Sequence, residues 1–172
     1  MVIWLSGLSG SGKTTIGRRV LALWKEEAAN TVIVDGDDVR DMLAIPRNDR
    51  TYTMEGRREV AEHICGICAW LDRQNINVVC CTMSFFDDLR HRNRKTLSAY
   101  FEVYIDVPIE LLYRRDDKNL YAPALRGEIE NVIGVDLPFT PPAHPDLVID
   151  NSLDGADLDA LAIQILTSAK AI

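Results

Sequence analysis

The chain has 172 residues, a net charge of −7 and a pI near 4.9, and is 47% hydrophobic and 26% charged. That size supports one compact domain. The acidic balance argues against nonspecific DNA or RNA binding, which rests on neutralising phosphates with Lys and Arg, and no apolar run approaches the roughly 18 residues of a membrane span. The apolar stretch begins directly after Met1, leaving no room for a signal or transit peptide, so the expected compartment is the cytoplasm, with no membrane partner.

The first predicted strand covers residues 2–5 and runs into GLSGSGKT, residues 7–14, followed by a helical pattern over 13–29. The octapeptide fits G-x-x-x-x-G-K-[ST] in a strand-to-helix setting, the strongest motif in the chain. Gly7, Gly10 and Gly12 let the backbone bend so that its N–H groups point at phosphate oxygens. Ser9, Ser11 and Thr15 complete the predicted phosphate-binding set, and the helix N-terminus adds a favourable dipole. Lys13 can reach the β- and γ-phosphates and is a predicted catalytic residue, while Thr14 can ligate Mg2+. ATP or GTP with Mg2+ is the expected ligand. A guanine-specific N-K-x-D is missing, since DDKNL at 116–120 has the letters in another order. ATP with an acceptor is therefore favoured over GTP with a switch.

The second predicted strand, residues 31–34, leads into VIVDGDDVR, residues 32–40. In an open parallel sheet the ligand lies at the carboxyl ends of the strands, so Asp35 and Asp37 should face the crevice. An acid there can accept or orient the proton of an acceptor hydroxyl, or bind Mg2+ directly or through water. Asp37 is the preferred catalytic residue and a second candidate metal group. Gly36 lets the chain turn, and Asp38 is the expected N-cap of a short helix VRDML. Arg40, one turn on, can point toward an anionic acceptor. Arg47, Arg50, Arg57 and Arg58 follow, with acids interspersed. They read equally well as a solvated helix face or as the source of further positive charge for the site.

Farther along, Val60, Ile64, Ile67, Cys68 and Leu71 recur at helical spacing, then come a strand over 77–82, a helix over 86–98 and a strand over 101–107. The basic segment RRDDKNLY, 114–121, can form a lid over phosphates that excludes water. The Pro-rich stretch 134–146 is a loop, a strand follows over 146–149, and Leu158, Leu161, Ala162, Ile165, Leu166 and Ala169 mark one face of a last helix. Cys65–x–x–Cys68 and the adjacent Cys80 and Cys81 lack a set with zinc-finger spacing, and they read as packing. Near-continuous apolar strands alternating with helices predict an α/β fold: a P-loop nucleotide kinase-like three-layer sandwich, with a mostly parallel five-stranded sheet and helices on both faces. The 172 residues read as a single kinase domain with a lid near 114–130.

The segments GLSGSGKTT, DGDDVR, RRDDKNLY, GEIENVIGVD and PDLVIDN occur in the order seen in adenylylsulfate kinases, and the chain resembles that family from Ile3 to about Asn151. The resemblance implies transfer of the γ-phosphate of ATP to the ribose 3′-hydroxyl of adenosine 5′-phosphosulfate. It implies Asp37 near that hydroxyl, Asp35, Arg40, Arg50 and Ser84 on the acceptor side, and Arg115 and Lys118 in the lid. It also places Phe139 against the acceptor base, where an aromatic face stacks with little directionality. A homodimer is compatible with it.

The departures from the family pattern fall on the acceptor side. An Asn before the Arg-Arg pair is Glu55, F-I-S-P-Y-R reads TMSFFD at 82–87 with Asp87 in the arginine position, the lid lysines after L-Y are Ala122 and Pro123, and a lysine before F-T-G is Glu130. Losing a charge-assisted contact costs about 1.5–3 kcal/mol, so these changes can redirect the acceptor. A family relative acting on cytidine diphosphoramidate looks similar in the altered regions and supplies the alternative acceptor. The alternative of another class is a nucleotide-binding sensor without transfer activity.

Overall fold

A computed structural model describes residues 1–116, 118–153 and 155–170. Five strands, β1 (Val2–Ser6), β2 (Thr31–Asp35), β3 (Asn77–Cys81), β4 (Tyr100–Asp106) and β5 (Leu147–Asp150), form one sheet in the order β2-β3-β1-β4-β5. Every strand pairing among the described residues is parallel, with Leu5 beside both Cys81 and Val103. β1 is central and buried at every position. That is why its sequence is apolar without alternation: each face meets a different helical layer.

Period-two geometry divides the strand side chains between those layers. Ile3, Leu5, Val79, Val103 and Ile105 pack with Ile16, Val20 and Trp24 of α1 (Lys13–Glu27) and with Ala162, Ile165 and Leu166 of α8 (Leu158–Ala169). Val2, Trp4, Val78 and Cys80 face the other way, onto Val60, Ile64, Cys65 and Cys68 of α4 (Met54–Asp72) and Leu89 of α5 (Asp87–Thr96). The result is the expected three-layer sandwich. All four cysteines are buried free thiols within these layers, as the packing reading has it. No helix among the described residues is long and apolar enough to cross a membrane.

Shorter helices rim the carboxyl edge: α2 (Gly36–Met42), α3 (Asp49–Tyr52), α6 (Ile109–Arg115) and α7 (Tyr121–Leu125). One boundary expectation is corrected here. α2 begins at Gly36, and its N-cap is Asp35, whose side chain accepts from the Asp37 N–H, while Asp38 is an exposed residue of the first turn. The strand delivers Asp35 in an extended conformation at its end, with φ −100° and ψ 140°, so the cap is made one turn earlier than the short VRDML helix required. Within the predicted lid, Asp117 lies outside the described residues.

α1 lies close on β3 because Gly17 has no side chain, and a Cβ there would overlap the buried Cys81 sulfur. Gly17→Ala is expected to destabilise the fold by about 1–3 kcal/mol, read as a lower urea midpoint. Gly66→Ala, where an added Cβ meets nothing within 4 Å on the exposed face of α4, is expected to gain about 0.5–1 kcal/mol from helix propensity. Equal midpoints for the two variants would contradict the close packing of α1.

Candidate active site

The loop between β1 and α1 turns on three positive-φ glycines, Gly7 (149°), Gly10 (76°) and Gly12 (95°). Two are also sites of close approach: a Cβ on Gly7 would lie 2.7 Å from the Ile105 carbonyl, and one on Gly12 2.6 Å from Asn151 Nδ2. α1 starts at Lys13, after Gly12 as its N-cap, without a side-chain cap and without an acid in its first turn, leaving its dipole and first N–H groups free for an anion. Lys13 donates to the Leu8 carbonyl at 2.6 Å and approaches Ser11 Oγ at 3.4 Å. Asn151 Nδ2, from the segment after β5, holds the Ser11 carbonyl at 2.9 Å.

Asp35 joins this loop to the acidic strand end. Its Oδ2 accepts from Thr14 Oγ1 at 2.6 Å and its Oδ1 from the Asp37 N–H at 2.9 Å. Thr14 spends its proton on Asp35, so its oxygen lone pairs are free to ligate a cation. Among the described residues there is no group of three or more His, Cys, Asp or Glu placed to hold a metal. Thr14 with one or two nearby carboxylates is nonetheless the donor set that Mg2+ uses when phosphates and water complete its shell. Asp37 Oδ2 lies 2.6 Å from Lys118 Nζ of the predicted lid. Burial opposes the charge of Asp37, yet the Lys118 ammonium, and then Arg47 and Arg40, hold its carboxyl below the usual carboxylate range.

The lid is built around a second acid. Asp116, left-handed at φ 34°, accepts the N–H groups of Leu120, Tyr121 and Ala122 at 2.7–2.9 Å and so starts α7. Tyr121 Oη then donates to the Ser9 carbonyl of the phosphate loop at 2.9 Å. Arg115 donates to the Asn151 and Ser152 carbonyls at 3.2 and 3.1 Å. Of the two predicted lid cations, Lys118 lines the cleft and meets Asp37, while Arg115 is tied to the segment after β5 and is not among the residues that line the cleft.

These groups open onto a cleft of about 900 Å³ that holds Ser9, Gly10, Gly12, Lys13, Thr14, Thr15, Asp35, Asp37, Arg40, Ser84 and Lys118. Its cations are Lys13, Arg40, Arg47, Arg57 and Lys118, set against Asp35, Asp37, Asp49 and Glu130, a locally balanced field in an acidic protein. Arg40 is 7% exposed, and its Nη1 has no hydrogen-bond partner among the described residues. A buried charged donor left unpaired is costly, and an anion in the cleft is the kind of partner that would satisfy it. Arg40 and Arg57 lie against the Tyr52 ring, their guanidinium carbons 5.0 and 5.2 Å from its centroid. Arg57 also donates to the Tyr52 and Asn131 carbonyls, each at 2.7 Å. Tyr52 was not singled out from sequence, and Arg57 was named only as one of four arginines that could lend positive charge to the site. The signal was there for Arg57, which shares a helix face with Val60, Ala61 and Ile64, all on the cleft.

Two residues expected on the acceptor side, Arg50 and Phe139, are not among those that line this cleft. Arg50 lines a second cavity of about 380 Å³ with Glu55 and Glu59. It and Tyr52 are two residues apart on α3, about 200° around the axis, so turning Tyr52 inward turns Arg50 outward. Phe139 stacks on Tyr104, centroids 6.2 Å apart and planes 26° apart, within the cluster under the lid. The turn before it, closed by Gly134 N–H to the Leu137 carbonyl at 2.7 Å, leaves Ile129, Glu130, Asn131 and Val132 on the cleft instead.

The model of the family described as adenylylsulphate kinase matches residues 1–150. The chain is 41% identical over 151 residues to a cytidine diphosphoramidate kinase of Campylobacter jejuni, spanning 88% of this chain and 86% of that one. It is 36% identical over 159 residues to an adenylyl-sulfate kinase of Pseudomonas aeruginosa, spanning 91% and 80%. In three dimensions it resembles the APS kinase of Mycobacterium tuberculosis in complex with AMPPNP and APS, with a TM-score of 0.84, 28% identity, and 98% and 96% of the two chains covered.

Burial, reinforced by Lys118, brings Lys13 down to about 8 against the pull of Asp35 and Asp37. Its ammonium is therefore present below about pH 8 and lost above it. A bound polyphosphate favours the charged form, so binding ATP near pH 8 should take up protons, and affinity should fall as pH rises through that value. Calorimetry in two buffers of different ionisation enthalpy measures the uptake. It should vanish in Lys13→Met, and uptake that persists there would assign the proton to another group.

Proposed function

The chain belongs to the adenylylsulphate kinase family, phosphotransferases with a hydroxyl acceptor, and on that premise we propose that it transfers the γ-phosphate of ATP to a ribose hydroxyl, the 3′-hydroxyl, of a nucleotide acceptor. The observation that carries this reading is the union in one cleft of a complete phosphate loop with Asp37, Arg40 and Lys118. A protein that only sensed ATP would have no use for a buried arginine with Nη1 unsatisfied beside an acid on the far side of the loop.

In this reading Lys13 and the loop N–H groups hold the β- and γ-phosphates. Thr14, with Asp35 or Asp37 behind it, would hold Mg2+, which supplies charge neutralisation on the phosphates. Asp37, kept ionised, accepts the hydrogen bond of the acceptor hydroxyl and aims its oxygen at the γ-phosphorus. Arg40 and Arg57 bind the acceptor's anionic group. Lys118 moves between Asp37 and the transferred phosphate as the lid segment 114–130 closes over one kinase domain, excluding water that would otherwise compete for the phosphoryl group. A cytoplasmic setting, with its ATP supply, fits this role.

Adenosine 5′-phosphosulfate is the first acceptor reading, supported by the family match and by the likeness to a structure solved with APS. Cytidine diphosphoramidate is the second. It is favoured by the 41% identity to a kinase of that name and by Glu130 on the cleft, where the family pattern has a lysine. A carboxylate accepts from an amino group, as acids do from cytosine N4, and repels a sulfate.

An acceptor panel read by ADP release and by the phosphorylated product tests both. Turnover above background should appear with one of the two, and a panel in which no nucleotide raises it would end the kinase reading. Asp37→Asn should lower kcat by about 100-fold or more while leaving the ATP Kd within about twofold. Near-wild-type turnover in that variant would remove Asp37 from the reaction.

A further inference from the structure

Five consecutive residues, Thr82, Met83, Ser84, Phe85 and Phe86, line the cleft between β3 and α5. They form a wall that departs from the family pattern, with no proline to stiffen it. Its chain path is divided. Met83 and Phe85 pack on the cluster beneath the lid, whereas Phe86 packs on the α4 layer. Ser84 stands between them in the left-handed region, at φ 46°, where a residue with a Cβ needs outside support. α5 offers little, because Phe86 occupies its N-cap and makes no side-chain cap.

The support comes from Arg90, one turn into α5 and only 5% exposed. Its guanidinium donates to the Ser84 carbonyl and to the Asp87 carboxylate. Its Nε lies 3.3 Å from Glu102 Oε1 on β4, and Glu102 is itself 4% exposed. That carboxylate oxygen has no aligned donor among the described residues, so Arg90 compensates it by charge rather than by a hydrogen bond. Glu102 is fixed in turn: its N–H donates to Asp146 Oδ2 at 2.7 Å, and Arg94 pairs with that carboxylate at 2.8 Å. The guanidinium thus ties the cleft wall to the sheet.

We propose that Arg90 is a positioning residue for acceptor binding: anchored by Glu102, it holds the 82–86 wall in the left-handed turn at Ser84 that shapes the acceptor side of the cleft. The wall's role as an acceptor surface rests on the function proposed above, while the clamp itself does not. A lysine keeps the buried positive charge opposite Glu102 but cannot reach the Ser84 carbonyl and Asp87 together, since the planar fork is lost.

Arg90→Lys is therefore the test, with two readouts. Losing charge-assisted bonds should raise the acceptor KM about tenfold or more and leave the ATP KM within about twofold. Hydrogen exchange should quicken at residues 82–86 and stay unchanged at 7–14. A folded Arg90→Lys whose acceptor KM is within about twofold of the unaltered protein would overturn the proposal, since a purely structural arginine predicts that result. If the lysine variant does not fold, Arg90→Met/Glu102→Leu removes both buried charges together, and the same measurements decide. If the unaltered protein phosphorylates neither acceptor, the proposed function fails and exchange alone decides: unchanged protection at 82–86 overturns the clamp, and lost protection supports it.

Discussion

Two short hydrogen bonds to one carboxylate organise the site. Asp35 ends β2, accepts the Thr14 hydroxyl at 2.6 Å and accepts the Asp37 N–H at 2.9 Å. The first bond ties the start of α1 to the neighbouring strand system, and the second starts α2 and sets the direction in which Asp37 leaves the sheet. The phosphate loop and the acidic strand end are therefore one unit. A carboxylate is suited to this because its two oxygens accept from two donors at once, and because charged hydrogen bonds are stronger than neutral ones. Moving Asp35 would displace a metal-ligand candidate and the acid beside the acceptor together.

Around that unit the charges are arranged for anions despite the chain's overall acidity. Arginines come from α2, from the segment after it and from α4, and lysines come from the phosphate loop and the lid, all onto one cleft. Tyr52 separates two of the guanidiniums by offering its ring to both, so two like charges are held near each other with an attractive partner between them. Lys118 pairs with Asp37, which holds the Asp37 carboxyl below the usual carboxylate range and sets the lysine's charge beside that acid. The net charge of the chain says nothing of this, because a small ligand senses the field of a few nearby groups rather than the total.

Donor and acceptor halves rest on different kinds of structure. The donor half is largely backbone: glycine conformations and a helix N-terminus set by local sequence, with the side chains of Asn151 and Tyr121 holding two of its carbonyls from far along the chain. The acceptor half is assembled from side chains on α2, α4, the 82–86 wall and the 129–132 segment, elements far apart in sequence. The departures from the family pattern fall there, at Glu55, Asp87, Ala122, Pro123 and Glu130, and not in the phosphate loop.

How much of this could be read beforehand divides along the same line. The strands, the two helical layers, the phosphate loop and the placement of Asp35 and Asp37 at a strand end follow from apolar period, glycine spacing and the rule that ligands meet the carboxyl edge of a parallel sheet. Those are local or topological properties, carried by the order of residues. Three-dimensional packing decided the rest. It made Asp35 rather than Asp38 the cap, turned Arg57 into the cleft and Arg50 away from it, and put Phe139 on Tyr104. It also clamped Ser84 with Arg90. Each of these depends on which way a short helix or turn rotates when it docks. That rotation is set by partners distant in sequence, such as the Arg57 bond to the Asn131 carbonyl and the Lys118 pair with Asp37, separated by 74 and 81 positions. Sequence determined the frame and the donor chemistry because they repeat a local pattern. The acceptor surface was left to the tertiary structure, because nothing local specifies the contacts that build it.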